Sequence, residues 1–363
     1  MRIGVAAALV EGRVVEGDIE VDAGRITRCG LASPAGRGLA VPGFVDLQVN
    51  GFGGVDFLDA DSDGYRRAGE ALLETGVTAY LPTLITSPEE QVLAALLEVP
   101  ARADHPRILG VHLEGPFISP NRLGTHVASA RRDPDLALLD RLLDGGPVKL
   151  MTLAPELDGA DRLIRRLHER GITVSLGHSD ATAEQANAGF DLGVGTVTHL
   201  FNAMRPFRHR DPGIAGAALA RDDVTVQLIL DGVHLAPETV QVVWRAARGR
   251  VALVTDSITA TGAADGAYSF GSLDVSVHEG TVRGPDGVLA GSVLTMIDAI
   301  RNLHALGVPL ADAVTAATAT PARILGLLEL GRLDVGLPAD IVILDDNVEI
   351  ERVLVAGNVH VAV

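Results

Sequence analysis

The stretch ITVSLGHSDATAEQANAGFDLGVGTVTHLFNAM, residues 172–204, holds two short apolar strands, 172–176 and 195–199, with a helical segment between them. The first strand leads into His178 and the second ends at His199. Strand, helix and strand in that order make a parallel β/α unit. Its polar side chains stand at the carboxyl ends of the strands.

The pattern continues outward in both directions. Apolar strands are predicted at 44–49, 77–81, 108–113, 148–153, 225–230 and 251–255, which makes eight in all. Helices are predicted between them, among them 66–75, 88–98, 158–170 and 236–248. In ADRLIRRLHERG, 160–171, the apolar Leu163, Ile164 and Leu167 recur at helical spacing, and Gly171 gives a stop signal. Eight strands alternating with helices form a closed barrel or an open doubly wound sheet. The glycines of PGFVDLQVNGFGG, 42–54, lack the spacing of a dinucleotide-binding turn. Polar groups instead end many different strands, which is where a barrel builds its site. The expected fold is therefore α/β, a (β/α)8 TIM-like barrel over residues 42–329. Short strands at both ends of the chain predict a small β-sandwich domain from 1–41 and 330–363. A β-hairpin excursion is expected at 270–290.

Composition narrows the function. Acidic residues number 47 against 30 basic ones, a net charge of −17. Such a surface repels nucleic acid and anionic lipid, so neither is expected as a partner. Cys29 is the single cysteine, which excludes a disulfide within the chain and fits a reducing cytoplasm. No signal peptide or membrane span is read in the sequence.

The strand ends carry the chemistry. The first strand ends at Gln48 and Asn50, and HLEGPF, 112–117, places Glu114. Later strand ends place His178, His199 with Asn202, His234 in DGVH, and Asp256 in TDS. One carboxylate and two imidazoles form a divalent-metal donor set, and three protein ligands leave a position for water. A nearby unliganded carboxylate, Asp256, can move a proton. Each residue also has a plainer reading: Glu114 in a turn before Gly-Pro, and Asp256 as a helix N-cap. His112 lies on Glu114's side of its strand and is read as supporting or structural.

These segments together resemble the N-acetylglucosamine-6-phosphate deacetylases of the amidohydrolase superfamily. The resemblance runs from PGFVDLQVNGFGGVDF through HLEGPFISPNRLGTH, SLGHSDAT, THLFNAMRPFRHRDPG, DGVHL, VTDSI and AGSVLTM to ATPARILG and GRLDVGLPADIVILD. It implies hydrolysis of N-acetyl-D-glucosamine 6-phosphate to D-glucosamine 6-phosphate and acetate. It implies Glu114, His178 and His199 as ligands of one divalent metal, zinc first, with iron or another transition metal as alternatives. Asp256 is implied as general base and acid, and His126 as the group that polarises the acetyl carbonyl. Asn202 and the backbone of Ala203 are implied to hold the sugar phosphate, and His234 to bind sugar hydroxyls or phosphate. Arg210 is implied to reach a neighbouring subunit's phosphate site, hence a homodimer. Arg205, Arg208 and Arg210 supply the local positive charge that a phosphorylated substrate needs in so acidic a chain. Many amidohydrolases carry His-x-His after the first strand. Gln48 and Asn50 stand there instead, so a second metal is not expected. The end of the fourth strand, MTLAPE, offers Glu156 and no lysine, which excludes a carboxylated-lysine bridge. The alternatives are another N-acyl amino sugar such as the galactosamine epimer, a cyclic amide, or a non-catalytic sugar-phosphate sensor.

Overall fold

A computed structural model describes residues 1–32, 36–101, 106–285 and 287–362. Eight parallel strands form the barrel. They are β1 (Phe44–Val49), β2 (Val77–Ile85), β3 (Val111–Glu114), β4 (Val148–Leu153), β5 (Thr173–Leu176), β6 (Thr196–Val197), β7 (Thr225–Leu228) and β8 (Val251–Leu253). Neighbours pair in sequence order from β1 to β8. Every residue of β1 and β2 is buried, as expected of strands packed on both faces.

Three strands depart most from expectation, and the third, predicted at 108–113, forms over Val111–Glu114. The second was predicted to stop at Leu81, before Pro82, yet it runs to Ile85. Proline costs little there because the β1–β2 register already shifts between Asp46 and Val49. Across that break the Thr83 hydroxyl accepts from Val49 N–H at 3.1 Å. The sixth was predicted to reach His199, but strand pairing ends at Val197 and His199 adopts a left-handed backbone, φ 31°.

The helices form as their patterns dictate. Ala160–Glu169 buries Leu163, Ile164 and Leu167, and Gly171 follows with φ 69°. Ser62–Glu74 is capped by Asp61, whose carboxylate accepts from Gly64 N–H at 2.8 Å. None of the described helices is long and apolar enough to cross a membrane.

The two chain ends share one sheet. Leu39–Pro42 pairs in parallel with Ala7–Val10 and antiparallel with Ile341–Leu344. Asp18–Asp22 and Arg25–Leu31 form a separate ribbon. Ile19, Val21 and Ile26 from the ribbon share a core with Ala40, Ile341 and Ile343 of the sheet. The predicted hairpin excursion is three-stranded and begins earlier, as Gly266–Phe270, Leu273–His278 and Thr281–Arg283. Its Phe270, Val275 and Val277 pack on Ile85 and Ile258 at the barrel mouth.

The barrel closes between β8 and β1 without a continuous ladder. Among the described residues a single bridge, Val49 with Ser257, spans the seam. Buried Asp46 does much of the joining. It accepts from the Thr255 hydroxyl at 2.6 Å, from Thr255 N–H at 3.3 Å and from Gln48 N–H at 3.2 Å. Burial pushes its carboxyl up to about 7, against the pull of those donors. The folded chain therefore binds more protons here than the unfolded chain across pH ~4 to ~7, and this residue's contribution to stability falls as pH rises through that window. We expect Asp46→Asn to gain stability relative to wild type across the same window, on the order of 3 kcal/mol. Urea unfolding of both proteins at pH 4, 5.5 and 7 checks it, and an unchanged difference would contradict it.

Candidate metal centre and substrate pocket

The strand ends meet in one cavity of about 290 Å³. Among the described residues, one group of three is placed to hold a metal: Glu114, His178 and His199, all buried. Glu114 Oε1 lies 3.1 Å from His178 Nε2 and 2.9 Å from His199 Nε2, and the two Nε2 atoms are 3.1 Å apart. Local backbone aims these side chains. His178 and Asp256 have φ 48° and 52°, a left-handed conformation that side chains other than glycine seldom take. Neighbouring main-chain bonds hold both turns. Ser119 N–H donates to His178 O at 2.8 Å, and Asp256 N–H donates to Gln48 O at 2.9 Å.

The tautomer of His178 follows from its surroundings. Its Nδ1 lies 3.0 Å from the carbonyl oxygen of Arg122, which can only accept. Nδ1 therefore carries the proton and Nε2 presents a lone pair toward Glu114. Burial pushes the Glu114 carboxyl up, but the imidazoles of His126, His178 and His199 outweigh that and hold it well below the usual range. A buried carboxylate facing two imidazole nitrogens at these distances fits a divalent cation such as zinc or iron.

Asp256 stands beside this trio. Its Oδ1 accepts from Gln48 Nε2 at 3.0 Å and Asn50 Nδ2 at 2.7 Å, which leaves Oδ2 for a proton. The same Gln48 nitrogen donates to Glu114 Oε1 at 3.1 Å, so one amide bridges the two carboxylates. Burial, then repulsion from Glu114, pushes Asp256 up to about 6.

His126 closes another wall. Thr86 N–H donates to its Nδ1 at 3.3 Å, which assigns the ring proton to Nε2, and Nε2 lies 3.6 Å from Glu114 Oε2. Burial lowers its pKa to about 4, so the ring is a neutral donor at physiological pH. Gly115 makes room for the Thr86 side chain. A Cβ at that glycine, φ 90°, would lie 2.1 Å from Thr86 Oγ1.

The remaining predicted residues divide. Asn202, Ala203 and His234 line the cavity. Asn202 Nδ2 turns toward the carbonyls of His199 and Leu200, so its Oδ1 is left to accept, which suits a hydroxyl better than a phosphate. His234 Nδ1 donates to Asp231 Oδ2 at 2.7 Å, which leaves Nε2 free to accept. Arg210 is exposed and does not line the cavity of its own chain. Arg205 is not a free charge, being paired with Asp180 and Asp211. His112 sits below the site, with Nε2 2.7 Å from the Thr152 hydroxyl. Glu156 accepts from Ser179 Oγ and Asp180 N–H and does not line the cavity.

Sequence reasoning did not find several contributors. Gln48 and Asn50 were read only as poor ligands, and their true partners come from β3 and β8. Thr86, Asp231 and the carbonyl of Arg122 carry no motif of their own. The apolar wall of Ile85, Phe270, Val288 and Leu289 depends on where the three-stranded excursion folds.

Residues 39–360 match the amidohydrolase family, whose members are metal-dependent. The chain is 40% identical over 342 residues to N-acetylglucosamine-6-phosphate deacetylase of Rattus norvegicus, covering 89% of this chain and 83% of the relative. It is 36% identical over 327 residues to N-acetylgalactosamine-6-phosphate deacetylase of Escherichia coli O157:H7, covering 88% and 87%. Its structure is similar to a mutant N-acetyl-D-glucosamine-6-phosphate deacetylase of Mycobacterium smegmatis in complex with N-acetyl-D-glucosamine-6-phosphate. The TM-score is 0.95 at 36% identity, covering 100% of this chain and 99% of that one. The chain belongs to the amidohydrolase family, among the N-acetylglucosamine-6-phosphate deacetylases. Its metal centre yields a direct expectation: His199→Ala should lower zinc affinity at least ~100-fold while leaving the far-ultraviolet circular dichroism unchanged. Zinc titration against a chelator checks it, and retained affinity would remove His199 from the ligand set.

Proposed function

We propose that the chain hydrolyses N-acetyl-D-glucosamine 6-phosphate to D-glucosamine 6-phosphate and acetate, in amino-sugar catabolism and recycling in the cytoplasm. The observation that carries this is the pairing of Asp256 with the Glu114–His178–His199 cluster through the one Gln48 amide. Proton transfer and electrophilic activation are thereby held side by side in one buried pocket.

Glu114, His178 and His199 would hold one divalent ion, zinc first, which when bound polarises the amide carbonyl and acidifies water. Asp256 accepts a proton from the attacking water as its oxygen bonds to the acetyl carbon. His126 Nε2–H donates to the oxygen where negative charge develops, a contribution of roughly 3–4 kcal/mol for such a donor. Asp256 then gives the proton to the sugar nitrogen as the C–N bond breaks, so acetate and a free amine leave. Asn202, the backbone of Ala203 and His234 orient the sugar. Two subunits form a homodimer in which Arg210 of each reaches the phosphate of the other's substrate. Arginine suits that task because its planar fork gives two parallel hydrogen bonds to phosphate.

The galactosamine epimer is a second substrate worth measuring, because the Escherichia coli O157:H7 relative is named for it at 36% identity. A non-catalytic sensor is disfavoured by the placement of Asp256, which a binding role does not need.

Asp256 must be ionised to accept the proton. With its pKa raised to about 6, turnover should fall as pH drops below 6 and level off above it. Asp256→Asn should lower kcat by about 10³-fold or more while zinc content stays at wild-type level. Acetate release from N-acetyl-D-glucosamine 6-phosphate, followed from pH 4.5 to 8.5, checks both. A normal rate in the Asn variant would remove Asp256 as the base, and an acidic limb near pH 4 would show that its carboxyl is not raised in the working enzyme.

A further inference from the structure

Three loops at the barrel mouth are tied by a chain of alternating charges that the reaction itself does not use. It runs Arg122, Asp180, Arg205, Asp211. Arg122 Nε lies 2.8 Å and Nη2 2.6 Å from Asp180 Oδ1. Arg205 Nη1 reaches the other oxygen of Asp180 at 3.5 Å and its carbonyl at 3.3 Å. Arg205 Nε and Nη2 pair with Asp211 at 2.8 Å. Arg122, Asp180 and Arg205 are about one-quarter to one-third exposed, so solvent screens the chain only in part.

Asp180 is fixed from behind, since its N–H donates to Glu156 Oε1 at 2.7 Å. What it holds matters in two directions. Arg122 carries the carbonyl that accepts from His178 Nδ1, the bond that turns His178 Nε2 toward Glu114. Arg205 leads into the turn where Arg208 and Asp211 exchange main-chain hydrogen bonds, and Arg210 sits in that turn.

We propose that Asp180 is a positioning residue for the metal centre. By anchoring the Arg122 side chain it holds the Arg122 carbonyl on His178, and by pairing with Arg205 it fixes the turn that carries Arg210. The inference rests on the metal-site part of the proposed function and not on which sugar is cleaved. A carboxylate suits the position because two guanidinium groups converge on it from different loops, and an amide cannot satisfy both charges. Loss of the anchor leaves the Arg122 carbonyl in the chain but frees it to drift, so His178 loses its fixed tautomer.

The test is zinc affinity by chelator competition, with thermal unfolding alongside. Outer-shell changes at metal sites commonly weaken binding by ~10–100-fold. Asp180→Asn and Arg122→Ala should each weaken zinc by about tenfold. The double variant should be little worse than either, because both break the same contact. Arg122→Lys, which keeps the charge, should recover part of the loss. Unchanged zinc affinity in both single variants overturns the proposal even if melting temperature falls. So does a double variant whose losses multiply, since the two residues would then act separately. The zinc readout stands apart from acetate release, so a wrong substrate assignment and a wrong role for Asp180 give different results.

Discussion

The structure depends most on how the barrel closes. Between β8 and β1 the ladder is reduced to one bridge, and buried side chains take over. Asp46 grips Thr255 from below, and directly above it Asp256 N–H donates to Gln48 O. That closure sets Gln48 and Asn50 against Asp256 and brings Gln48 within reach of Glu114. A seam of a few main-chain bonds reinforced by side chains can hold a strained, charged residue at its rim, where a continuous ladder would impose extended backbone. The cost is a buried carboxyl, Asp46, raised to about 7.

The site solves an electrostatic conflict by the same means. Two carboxylates, Glu114 and Asp256, share a buried pocket in a chain of net charge −17. Unrelieved, their repulsion would protonate one of them. The Gln48 amide donates to both, and the imidazoles gather on Glu114 alone, so the two acquire different character. Glu114 is held ionised, which suits a metal ligand. Asp256 is lifted toward neutrality, which suits a proton carrier. At the end of the first strand this chain has two amides, Gln48 and Asn50, which donate hydrogen bonds to Asp256.

Much of this was legible in the sequence because barrel strands are short apolar runs that end in polar residues. Strands 44–49 and 148–153 fall where the apolar pattern puts them. Glu114, His178, His199 and Asp256 were singled out by position, since each ends a barrel strand or follows it within three residues. Three kinds of feature were not legible. Pro82 hid the last four of β2's nine residues, because a register shift on the neighbouring strand absorbs the missing donor. The partners of Gln48, Asn50 and Thr86 lie on other strands or in distant loops, and no spacing along the chain encodes them. The pairing of Arg205 with Asp180 and Asp211 depends on loop folding, so three adjacent arginines looked alike when one was already neutralised.

We propose that one buried metal centre and a basic turn from a second subunit act on a phosphorylated N-acetyl amino sugar. The most direct test compares kcat/KM for N-acetyl-D-glucosamine with and without the 6-phosphate, and for the galactosamine 6-phosphate epimer, using protein loaded with one zinc per chain. The account predicts that the glucosamine phosphate is preferred over its unphosphorylated form by at least ~100-fold, as loss of a charged contact implies. Equal rates with and without phosphate, or no acetate from any of the three, would contradict it.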